Sequence, residues 1–143
     1  MRQRSDVIAF IQPYVPSYRA PLFDRLEKEL DKRGLGMEVW HAEPTGVALA
    51  RGNSVRGSWS RSIPQHRISI GGRNLTFRPI LKRARSVAAV VAGLASTNLE
   101  TYQLAGTEDV KLMLWGHGRN FTAKNSGLDM RLEKWLTDRA RHT

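Results

Sequence analysis

A chain of 143 residues suits one domain, which at this length buries roughly 68–70% of its unfolded surface, and 41% hydrophobic residues supply the core. The absence of cysteine excludes a disulfide framework, a thiolate metal site and a cysteine nucleophile. With 23 basic against 13 acidic residues the net charge is +10, which favours anionic partners over cationic ones.

The charge is unevenly placed. Between Glu43 and Glu100 there is no acidic residue, and the interval holds Arg51, Arg56, Arg61, Arg67, Arg73, Arg78, Lys82, Arg83 and Arg85. Such a field attracts nucleic acid, anionic lipid headgroups or phosphorylated small molecules. The plainer alternative is an Arg-rich surface that serves solubility. The longest apolar run, Val87 to Ala95, is about half of the roughly 20 residues a membrane-spanning helix needs. The basic start, MRQRSD, is followed by too short an apolar stretch for a signal peptide, so a cytoplasmic protein is expected.

In chain order, Asp6 to Ile11 is continuously apolar after its first residue and predicts a buried strand. A helix begins at Pro21, with Leu22, Phe23, Leu26 and Leu30 on its inner face, and ends at Gly34 and Gly36. Met37 to His41 is a second strand. Glu43 to Pro64 shows no periodicity and reads as a long functional or mobile loop, with Trp59 expected to be exposed. Gln65 to Ile70 alternates as a third strand with Ile68 and Ile70 on one face. Gly71-Gly72 is a turn, and Phe77, Ile80, Leu81 and Ala84 mark a short helix with Arg78, Lys82, Arg83 and Arg85 outside. Val87 to Val91 is a strong buried strand. Ser96 or Thr97 caps the next helix, whose apolar members are Leu99, Tyr102 and Leu104. Lys111 to Trp115 is a fifth strand, Gly116 to Gly127 a polar loop, and Asp129 caps a last helix with Leu132, Trp135, Leu136 and Ala140 inward.

Strands alternating with helices predict an α/β fold: a Rossmann-like, three-layer domain with a parallel sheet of about five strands and helices on both faces. Ligands of such sheets bind beyond the carboxyl ends of the strands. The turn after the first strand, the turn after Gly93 and the loop after Trp115 should meet there.

The opening turn, within QPYVPSYRAPLFDRL, has no G-x-G-x-x-G. Pro13, Pro16 and Pro21 remove three amide donors, so nicotinamide or flavin binding is not expected at this turn. Tyr14, Tyr18 and Arg19 offer ring faces, hydroxyls and a forked donor, which suit a sugar ring or an anionic group; the competing reading has both tyrosines packing over the helix start. In WGHGRN, His117 lies between two glycines directly after a buried strand and is placed to bond a hydroxyl or exchange a proton, and Arg119 to hold a phosphate. His41, His66, His117 and His142 show no metal-ligand spacing, and no G-x-S-x-G elbow occurs. Glu100 and Glu108 match by chance a glutamate spacing used by some sugar-nucleotide enzymes, without its glycine-rich context. Asn74-Leu-Thr76 and Asn120-Phe-Thr122 match glycosylation sequons, which carry weight only in a secreted chain.

YVPSYRAPLFDRLEKEL after a first strand, GLASTNLETYQL, and LMLWGHGRN followed by LDMRLEKWLTDRAR together resemble the N-terminal domain of family 4-like glycosyltransferases of the GT-B fold. The resemblance implies that residues 1–143 form one Rossmann-like, acceptor-binding domain, with the C-terminal donor domain absent and this chain alone an incomplete, inactive half. It implies transfer of a sugar from a nucleotide-diphosphate donor to a glycan, lipid or other acceptor. His117 would contact the transferred sugar, and Tyr14, Tyr18, Arg19 and Arg119 the acceptor. It implies no cofactor and no metal, the nucleotide-sugar co-substrate being held mainly by the other domain. The partners would be a sugar or glycolipid acceptor and the donor, with peripheral contact at an anionic inner membrane face and no specific nucleic acid. The first turn departs from the family in lacking glycines. The alternative function is a non-catalytic basic module for nucleic acid or an anionic membrane surface; no nucleic-acid motif supports it.

Overall fold

The computed structural model describes residues 5–116 and 127–140. Its main sheet has five parallel strands: β1 (Ser5–Gln12), β2 (Gly36–His41), β3 (Ser60–Ser62), β6 (Val87–Gly93) and β7 (Leu112–Trp115), in the spatial order β3-β2-β1-β6-β7. Among the described residues five α-helices accompany it: α1 (Ala20–Asp31), α2 (Val47–Arg51), α3 (Leu81–Ala84), α4 (Leu99–Ala105) and α5 (Gly127–Ala140). The expected α/β Rossmann-like architecture is present.

The two faces of the sheet carry separate cores, because successive strand residues point to opposite sides. On one face Phe10, Met37 and Val39 pack with Phe23 of α1, Val15 and Trp59. On the other, Ala9, Ile11, Trp40, Val90, Ala92 and Leu112 pack with Ile80 and Ala84 near and on α3, Leu104 and Ala105 of α4, and Leu136 of α5. Helices therefore cover both faces. The first helix follows its pattern: Pro21 lies in its first turn, and Phe23 is fully buried. Leu22 departs from expectation and is exposed, because it follows Tyr18 by one helical turn on the outer side of the helix start.

The segment Glu43 to Pro64 is not a free loop. It contains α2 and the edge strand β3, and Trp59 is buried rather than exposed. The Trp59 indole lies 5.2 Å from the Phe23 ring and donates to Asp24 Oδ1 at 2.8 Å. A large ring with its N–H satisfied is stable in a core.

Residues 66–77 differ from expectation most. Gln65 to Ile70 does not enter the main sheet; β4 (His66–Ile70) pairs antiparallel with β5 (Arg73–Phe77) as a separate hairpin. Gly71 and Gly72 form its two-residue turn at φ 57° and 74°, the left-handed values that such hairpin turns require and glycine supplies. Ile68 and Ile70 share a face as expected, but that face is exposed. The hairpin is tied to the main body by a bridge from Thr76 to Asn98, with Thr76 N–H donating to Thr97 O at 2.9 Å.

Arg78, expected on an outer helix side, is 3% exposed and precedes α3. Its guanidinium donates to Glu100 Oε1 at 2.5 Å and to Gln65 Oε1 at 3.0 Å. Glu100, in the first turn of α4, is fully buried. The N-cap of α4 is Asn98 rather than Ser96 or Thr97, and Ser96 instead donates to Asp129 at 2.7 Å. Asp129 sits inside the first turn of α5, where it also receives Arg73. Leu136 is fully buried in that helix, whereas Trp135 is half exposed and rests on the Tyr102 ring at 5.9 Å.

Candidate functional site

The sheet order reverses direction between β1 and β6, so the crevice beyond their carboxyl ends is where an α/β sheet offers a ligand site. Four strand ends frame it: Gln12, His41, Gly93 and Trp115. Gln12 is in register with His41, and Gly93 with Trp115. Side-chain alternation places Gln12, His41 and Trp115 on the α1 side of the sheet, since they follow Phe10, Val39 and Met113 by two residues or share their parity.

Arg19 joins these ends. It precedes α1, after a single 3-10 turn, Ser17–Arg19, whose closing bond runs from Arg19 N–H to Pro16 O at 2.9 Å. Its guanidinium donates to Gln12 Oε1 at 2.5 Å and lies 5.8 Å from the Trp115 ring centre and 5.7 Å from that of Tyr18. A guanidinium held by an amide and flanked by two rings loses little freedom on meeting a ligand. Tyr18 is 72% exposed and Tyr14 half-buried, so the Tyr18 ring is open to a partner.

The backbone of the opening turn is spoken for. Ser17 N–H donates to Asn53 O at 2.6 Å, Val55 N–H to Val15 O at 2.8 Å, and Pro16 bridges Ser54. Residues 53–55 thus strap the turn, and with three prolines in the segment the turn is poorly suited to cradling a pyrophosphate. The groups it presents are side chains.

His41, which shows no metal-ligand spacing to the other histidines, lies at this rim and is 4% exposed. Its Nδ1 is 3.0 Å from Ala42 O; a carbonyl only accepts, so Nδ1 donates in that bond. Nε2 has no partner among the described residues, nor has the buried Asn53 Oδ1 of the strap. The one sequence signal for His41 is its place as the last residue of an expected strand; its adjacency to Gln12 comes from the ladder.

A second polar cluster follows β6. Asp129 receives both Arg73 and Ser96, and Tyr102 donates its hydroxyl to Ser96 O at 2.8 Å. Burial raises the Tyr102 pKa above the ordinary phenolic value, with Arg73 lowering it and Asp129 and Glu133 raising it. These groups are bonded to one another and serve to fasten the hairpin and α5 to the loop after β6.

His117 and Arg119 lie outside the described residues. Trp115, two positions before His117, meets Arg19, so the end of β7 and the opening turn do converge. Among the described residues no group of three or more His, Asp or Glu side chains is placed to hold a metal ion, and no helix is long and apolar enough to cross a membrane.

No protein-family model matches the chain, and no curated protein or solved structure matches it. The rim offers an anchored cation held by an amide between two aromatic faces, one of them open.

Proposed function

We propose that this chain is the acceptor-binding half of a glycosyltransferase of the GT-B kind, moving a sugar from a nucleotide-diphosphate donor to a glycan, lipid or other hydroxyl-bearing acceptor in the cytoplasm. The observation that carries this reading is Arg19, anchored by Gln12 between the Tyr18 and Trp115 rings at the carboxyl rim. Aromatic faces stack on sugar rings, and a fixed fork donor bonds vicinal hydroxyls or an anionic group. Tyr14, Tyr18 and Arg19 are assigned to the acceptor, Arg119 to an anionic part of it, and His117 to the transferred sugar. In the reaction the acceptor hydroxyl oxygen bonds to the anomeric carbon. The bond from that carbon to the diphosphate oxygen breaks, its electron pair leaves with the nucleoside diphosphate, and the proton of the acceptor hydroxyl is released to solvent water. Charge on that leaving group requires basic groups from a donor-side domain.

The alternative, a basic module for polyanions, is weakened by the fate of the basic interval. Arg56 pairs with Glu43, Arg61 with Glu38, Arg73 with Asp129, Arg78 with Glu100 and Arg85 with Asp109. Much of the local excess is thus neutralised by carboxylates contributed from outside it.

A glycan and glycolipid array probed with the chain tests the reading. Wild-type chain is expected to retain a defined subset, and Arg19→Ala to lose it while its circular dichroism is unchanged. Retention of no carbohydrate, or equal retention by Arg19→Ala, overturns the assignment.

A further inference from the structure

At the opposite end of the sheet from Arg19 is a cavity of about 310 Å³ lined by Ser5, Val7, Glu38, Arg61, Arg83, Ser86 and Val87. Its origin lies in the strands. β1 pairs with β6 at Ser5–Val87 and then shifts register before Ile8–Ala89, so the ladder is irregular beside the cavity although Ser5 still bonds to Ser86 O. Gly36 of β2 adds no side chain there; a Cβ would come within 3.0 Å of Val7 Cγ2. The nearest helix, α3, is a single turn and leaves this corner of the sheet open.

The charges at the mouth do not cancel. Glu38 is fully engaged, accepting the Trp40 indole N–H on Oε2 at 2.7 Å and Arg61 Nε on Oε1 at 3.2 Å. Arg83 makes no ion pair with any described residue, and its guanidinium lies 5.6 Å from the centre of the buried Trp40 ring. That stack fixes a fork donor at the mouth without neutralising it. Two guanidinium groups against one carboxylate leave one net positive charge, above a floor made by Val7 and Val87.

We infer that this cavity binds a small molecule bearing one oxyanion group, a phosphate monoester matching the Arg83 fork together with Arg61 Nη2, the Arg61 nitrogen not already given to Glu38 or to the Ser58 and Ser60 carbonyls. The oxyanion lies between Arg83 and Arg61, and the compact body of the ligand rests on Val7 and Val87. The volume, about 310 Å³, admits a sugar-sized body. The site is separate from the carboxyl rim, so it stands whether or not the rim handles an acceptor.

The test follows the arginine Nε–Hε resonances of the full 143-residue chain during titration with inorganic phosphate, ribose 5-phosphate and acetate, at ionic strength held constant with sodium chloride. Saturable shifts are expected at Arg61 and Arg83 but not at Arg85, whose partner Asp109 lies outside the cavity. Ribose 5-phosphate should bind more tightly than inorganic phosphate, since only it covers the valines. Arg83→Gln should weaken that binding about tenfold, the scale of one charge-assisted hydrogen bond. Arg83→Lys keeps the charge and the fold but not the fork, and should fall between. A drift shared by all surface arginines, equal binding of inorganic phosphate and ribose 5-phosphate, which means an adventitious ion only, or full affinity in both variants overturns the inference.

Discussion

Arg78 and Glu100 form a buried ion pair, 22 residues apart in the chain, with Nη1 2.5 Å from Oε1 and side-chain exposures of 3% and 0%. It fastens the base of the hairpin to α4, and one carboxylate oxygen, Glu100 Oε2, has no partner among the described residues. Such a pair specifies geometry more than it adds stability, because desolvation offsets the attraction. Arg78→Ala or Glu100→Ala alone, each leaving a buried charge unanswered, should cost about 3–5 kcal/mol in urea unfolding. The double variant Arg78→Met with Glu100→Leu should recover most of that loss. Two single losses that simply add would show that the pair does not act as a unit.

Trp59 closes the core over α1, so Trp59→Ala should destabilise by about 3–5 kcal/mol. Gly57→Ala should also destabilise, since its Cβ would stand 2.5 Å from Trp59 Cε2. Trp59→Phe retains the stacking on Phe23 but orphans Asp24 Oδ1, which is near the surface and can find water, so its cost should be the smaller one. Chemical denaturation of the three variants orders them, and a neutral Trp59→Ala would contradict its burial.

The pH limit on the alkaline side involves Tyr102. Its folded-state pKa is raised by burial, so the unfolded chain ionises this phenol first. The contribution is therefore complete below about pH 10, the ordinary tyrosine value, and is lost as pH rises through the higher folded value. Thermal unfolding of Tyr102→Phe should fall less steeply than wild type in that window. At neutral pH the variant should be modestly weaker, for want of the bond to Ser96 O. Parallel pH profiles for the two proteins would remove Tyr102 from the effect.

β1, β2, β6 and β7 all follow the expected positions; β1 and β6 are the clearest, because burial on both faces writes itself as an apolar run. The edge strand β3 was not legible, since its three residues, Ser60-Arg61-Ser62, are polar and owe their conformation to pairing with β2. Alternation at Ile68 and Ile70 identified a strand correctly but not its partner, and the Gly-Gly turn pointed to an antiparallel neighbour that went unread in Arg73–Phe77. Arg78 was misplaced because a charged side chain announces nothing about a carboxylate 22 residues on. At the rim, Arg19 was singled out by its setting among tyrosines and prolines. The roles of Gln12, His41 and Trp115 depended on register between strands, which only the folded ladder supplies.

The position of β1 in the middle of the sheet bears on how the chain matures. One flank of β1 is met by β2 within a short stretch, but the other waits for β6; Ser5 bonds to Ser86, 81 residues later. During synthesis β1 is thus half-zipped until β6 has followed it out of the ribosome. Loop closure over that span is slow, and an unpaired strand edge is an invitation to aggregation in the interval. Completion of the sheet therefore waits for the emergence of Val87–Gly93, and a pause in translation just before that point would lengthen the time for which one edge of β1 is open.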